Sequence, residues 1–112
     1  MTPIAVVTTV ADRAQAQAMA RALVQRRLAA CVQISDIESI YRWHGEVQQG
    51  PECRLVIKTT RERYGEIERT IRELHSYELP AIHALAFDAI HAPYGQWIVQ
   101  SCEAEPTNGV CA

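Results

Sequence analysis

A chain of 112 residues has room for one domain at the usual ~100–200 residues per domain, and folding would bury about 65% of its unfolded surface. With 48% hydrophobic residues, 21% charged residues and a net charge of −2, the composition excludes disorder over most of the length and offers no basic field for nucleic acid. Met1-Thr2-Pro3 runs straight into Ile4-Ala5-Val6-Val7, without the basic and apolar regions of a signal peptide, and no apolar run approaches the ~18–20 residues of a membrane span.

The expected location is therefore the cytoplasm, with no membrane partner. Cys31, Cys53, Cys102 and Cys111 are scattered, with no C-x-x-C pair. In a reducing compartment they are expected as free thiols.

The first element in chain order is a short buried strand from Ile4 to Thr8. A helix follows, capped by Asp12 with Gln15 three residues on. Its stripe of Ala14, Ala18, Ala22 and Leu23 is expected to lie close to a sheet, and Arg26-Arg27 suits its C-terminus. A second strand is expected from Leu28 to Ile34, restarting after Ser35-Asp36. Ile34, Ile37 and Ile40 break the period of two, which predicts a bulge or bend. The strand continues into Tyr41-Arg42-Trp43-His44-Gly45, and the polar run Glu46 to Pro51 is expected to turn it back. From Glu52 to Thr59, Cys53, Leu55 and Ile57 share one face and Arg54, Val56 and Lys58 the other.

Thr59 and Glu62 form a second capping pair for a helix carrying Tyr64, Ile67, Ile71 and Leu74 at spacings of three and four. Pro80 keeps that helix from resuming beyond His75-Ser76-Tyr77. Ile82 to Phe87 predicts a fourth strand and Pro93 to Val99 a short last helix. Residues 103–112 lack periodicity and are expected as a frayed tail to a single domain over 1–102.

This order predicts an α+β fold, a ferredoxin-like β-α-β-β-α-β sandwich with an antiparallel sheet, both helices on one face, and a short C-terminal helix. The other sheet face must meet water or another molecule. Val56, Tyr41 and Trp43 on or beside it point to a partner.

The chemistry-bearing residues form no familiar constellation. His44, His75, His83, His91 and the thiols show no i,i+4 or C-x-x-C spacing, so a metal site would be assembled in three dimensions or across subunits. Copper is the metal such N/S sites favour most. There is no G-x-S-x-G elbow and no phosphate-binding glycine loop, and Glu66 and Glu68 lie in an exposed charged run. Lys58, the only lysine, is either a guard on an edge strand or an anion contact. His75 suits the end of a helix, where the dipole favours its charged form.

Several ordered motifs carry a resemblance: Arg27-Leu28-Ala29-Ala30-Cys31-Val32, Ser39-x-Tyr41-x-Trp43-x-Gly45, Glu52, Leu55-x-x-Lys58-Thr59, His75-x-Tyr77-x-x-Pro80-x-Ile82 and Tyr94-x-x-Trp97. Together, and collinearly over 4–100, the chain resembles the CutA divalent-cation-tolerance proteins. The resemblance implies a homotrimer with the architecture of PII signalling proteins, a link to tolerance of copper and other divalent metals, and no catalytic reaction. It implies no obligatory cofactor, with weak Cu²⁺ binding expected.

Carried over, it places Cys31, Tyr41, Trp43, Glu52, Lys58, His75 and Tyr77 around a cleft between subunits, with Cys31, His75 and His83 as the metal candidates. Three positions depart from the family: Ser76 stands where Pro is frequent, Gln33 where Asn is common, and Ala81 where Glu usually follows Pro80. The change at Ala81 removes an oxygen ligand, for which His83 on the same strand face could substitute. The alternatives are a PII-like sensor holding a small anion in the cleft through Lys58 and His75, and a structural scaffold for another protein.

Overall fold

The computed structural model describes residues 1–104. The elements are β1 (Pro3–Val10), α1 (Arg13–Gln25), β2 (Cys31–Trp43), β3 (Glu46–Thr60), a single 3₁₀ turn (Arg61–Arg63), α2 (Tyr64–Leu74), β4 (Ile82–Ala86) and α3 (Ala92–Ser101). The strands form one sheet in the order β2-β3-β1-β4, with every pairing antiparallel. This is the expected split β-α-β arrangement. No helix among the described residues is long and apolar enough to cross a membrane.

Register fixes which side chains share a face. Ile4, Val6 and Val10 of β1 lie level with Thr59, Ile57 and Cys53 of β3. On this side, Ala16, Met19 and Leu23 of α1 and Ile67 and Ile71 of α2 close the core with Leu55. The buried stripe of α1 is thus not the alanine stripe expected: Ala14 and Ala18 are exposed. Alanine is nearly indifferent to burial, so the larger Met19 and Leu23 set the helix phase. Asp12 does cap α1, accepting the Gln15 amide at 2.8 Å.

Three local expectations are corrected. The β2–β3 pairing runs without a break from Cys31↔Lys58 to Trp43↔Glu46, so there is no bulge. The return is made by His44 and Gly45 alone, at φ 50° and 78°. Such a two-residue turn with both central φ angles positive matches the twist of a hairpin. The polar run Glu46 to Pro51 is strand, and Pro51 falls just past the end of β1, where a residue without an N–H meets a free edge. Finally, Thr59 does not cap α2. It is buried, and its hydroxyl donates to the Leu28 carbonyl at 2.6 Å.

At the other end of the molecule α3 closes the sheet. Arg63 donates to the Cys102 carbonyl, and Arg27, itself at φ 59°, donates to the carbonyls of Gln100 and Glu103. These guanidinium groups satisfy carbonyls that a helix end leaves open. The rest of the expected tail, 105–112 with Cys111, lies outside the described residues.

Candidate functional site

The β2–β3 hairpin continues beyond the sheet it starts from. The last β1 pair is Val10↔Cys53, so 46–52 is joined only to β2. Ile40 and Val47 on one face of this arm are 64% and 66% exposed, and Tyr41 on the other is 50% exposed. Trp43 stands edge-on to His44, ring centroids 4.7 Å apart. Each face of the arm therefore carries exposed apolar groups among polar ones, and the alternation that marks a half-buried strand is lost there.

Facing the arm is the loop from α2 to β4, pinned by two hydrogen-bonded side chains. His75 leaves the helix with extended backbone, and its Nδ1 accepts the Tyr77 N–H at 3.1 Å. A backbone N–H can only donate, so Nε2 carries the imidazole proton and donates to the Thr9 carbonyl at 2.6 Å. Both ring nitrogens are thereby engaged. The Tyr77 hydroxyl donates to Glu52 Oε2 at 2.8 Å. Burial first, and then the Glu52 carboxylate, push the Tyr77 phenol far above its ordinary pKa, so the proton stays on Tyr77.

Between arm and loop lies a groove of about 910 Å³ whose walls include Tyr41, Trp43, Glu52, Tyr77 and Leu79, with Thr9 at its base. Four of the expected cleft residues thus meet within one chain: Tyr41, Trp43, Glu52 and Tyr77. Ala81 also lines the groove, so the departure there leaves that one position of the wall without a carboxylate. Leu79 and Thr9 were missed by sequence reasoning. A lone exposed leucine in a loop and a threonine near a strand end carry no pattern that would single them out.

Lys58 and Cys31 are elsewhere. They face each other across β3 and β2 on the side away from α1 and α2, and Lys58 is about 20 Å along β3 from Glu52 at ~3.3 Å per residue. Lys58 has β1 on one side and β2 on the other, which removes its reading as an edge guard. Its Nζ donates to the Tyr94 hydroxyl at 3.2 Å and stands 5.5 Å from that ring's centroid. Tyr94 in turn stacks on Trp97, centroids 5.8 Å apart. Within one chain Lys58 and His75 do not converge, since their β1 neighbours Ala5 and Thr9 are about 13 Å apart along the strand.

The metal candidates are equally dispersed. Cys31 is on edge strand β2 and His83 on the opposite edge strand β4. Three strand spacings of ~4.8 Å and an offset of two residues along the strands put them about 16 Å apart. Among the described residues no three His, Cys, Asp or Glu side chains are grouped so as to hold a metal ion. Cys31, Cys53 and Cys102 are free thiols. Burial raises the pKa of the Cys102 and Cys53 thiols, the latter also through Asp36, which leaves both poor in thiolate.

Comparison with known proteins bears on the family and the fold. Residues 4–101 match the family model described as CutA1 divalent ion tolerance protein. The divalent-cation tolerance protein CutA of Thermus thermophilus is 39% identical over 94 residues, covering 83% of this chain and 91% of the relative. That of Thermococcus kodakarensis is 32% identical over 100 residues, covering 89% and 96%. Among solved structures, the periplasmic divalent cation tolerance protein CutA from Archaeoglobus fulgidus superposes with a TM-score of 0.89 at 27% identity, covering 91% of this chain and 100% of that one. A family match over nearly the whole sheet, both core helices and the arm leaves one assignment: the chain belongs to the CutA1 divalent ion tolerance family.

Proposed function

We propose that this protein is a homotrimeric, non-catalytic and cytoplasmic component of the response to divalent metal ions, copper foremost, and that it binds Cu²⁺ weakly. The observation that carries this reading is the family match over 4–101 to proteins named for divalent-cation tolerance.

Self-assembly draws support from the arm. It projects with apolar groups on both faces, and its 46–52 edge has no neighbour on the β1 side. The outer edge of β4 and the sheet face away from α1 and α2 are surfaces on the same chain that could receive it. A projecting element and a receiving surface on one chain make a heterologous contact, which gives a ring when its rotation closes and a filament when it does not. Three copies is the expectation from the family.

Weak metal binding follows from the dispersal of Cys31, His75 and His83. Ligands would come from more than one chain, and His75 offers Nδ1 only by giving up the Tyr77 amide. Titration with Cu²⁺ and Zn²⁺, repeated on His75→Ala and Cys31→Ser, tests the assignment. Affinity unchanged in both variants would remove these residues from it. Sedimentation at micromolar concentration tests the trimer: Trp43→Ala should weaken it, and a monomeric wild type would sink the idea.

A second reading, PII-like sensing of a small anion, is favoured by Lys58, whose ammonium meets a phenol rather than a carboxylate. It requires Lys58 and His75 from different copies. If no anion in a thermal-shift screen stabilises wild type more than Lys58→Ala, it fails.

A further inference from the structure

We draw no further inference here: the strongest candidate, the hollow between Arg69, Arg72 and Glu73 of α2 and Tyr77, Glu78 and Pro80 of the α2–β4 loop, shares Tyr77 and Glu78 with the groove already described and sets exposed arginines against exposed glutamates, with nothing in the structure to show what covers it.

Discussion

Leu55 and Val47 lie on the same strand, point to the same side of the sheet and are both aliphatic, yet Leu55 is fully buried and Val47 is 66% exposed. The difference lies in what stands over them. Leu55 is in the region roofed by α1 and α2, with β1 and β2 on either side. Val47 is eight positions earlier, where the roof and β1 have both ended. Strand periodicity assigns a face, but only a neighbouring element turns a face into a core. In the roofed half the apolar pattern is used within the chain, and in the arm it is left for another molecule.

The widest expected separation between the halves comes from truncating these two side chains. Leu55→Ala should lower folding stability by about 2–5 kcal/mol, through lost transfer energy and the cavity left in a closed core. Val47→Ala should change the stability of the single chain by no more than about 0.5 kcal/mol while weakening self-association. Urea denaturation at concentrations below assembly, paired with sedimentation above it, separates the two effects. Similar denaturation midpoints for the two variants would mean that the arm is packed by its own chain.

A smaller effect is expected at the hinge between the halves, where Tyr77 ties the α2–β4 loop to Glu52. Tyr77→Phe should cost about 1.5–3 kcal/mol, the range for a hydrogen bond to a charged partner. The phenol's pKa is raised in the folded chain, by burial and then by Glu52. Its contribution is therefore fully present below the unfolded value of about 10 and is lost as pH rises beyond it toward the folded value. Stability of wild type should accordingly fall more steeply above pH ~10 than that of Tyr77→Phe. Tyr64, shifted the same way by burial and Glu68, is common to both proteins and cancels in the difference. Parallel alkaline limbs would show that Tyr77 does not stabilise the loop.

The same division decides how much of the fold could be read beforehand. In the roofed half, Cys53, Leu55 and Ile57 alternate, and Ile67 and Ile71 fall on the buried side of α2, as their spacing predicts. In the arm the rule has no hold. Ile34 and Ile40 point to the helix side and Ile37 to the opposite side of an unbroken strand, which from spacing alone imitates a bulge. The polar stretch Glu46 to Pro51 imitates a turn because a strand exposed on both faces has no need of apolar residues.

At the site, Tyr41 and Trp43 announced themselves as exposed aromatics, while Tyr77 and Glu52 came with the motif resemblance. His75 was legible as a helix-end residue, but its tautomer required knowing that the Tyr77 amide points at Nδ1.

The smallest expected effect lies on the boundary row itself. Val10, Cys53 and Asp36 are the last residues level with one another before β1 ends, and Asp36 accepts a hydrogen bond from Arg13 in the first turn of α1 at 2.8 Å. That bond foremost, then one from the Cys53 thiol at 3.5 Å and the charge of Arg13, lower the Asp36 pKa. A carboxylate whose folded pKa is depressed adds stability above its unfolded value of about 3.9 and loses it as pH falls through the folded one. Arg13→Ala should therefore lower the neutral plateau slightly, by no more than an exposed pair contributes, and rejoin the wild-type curve at low pH where Asp36 is protonated in both. Since the pair is exposed, with side chains 50% and 73% accessible, added salt should shrink even this difference. A plateau that fell in Arg13→Ala as far as in Tyr77→Phe would mean that the root of the arm is clamped to the helix layer, and that the two halves unfold as one unit rather than meeting at a weak seam.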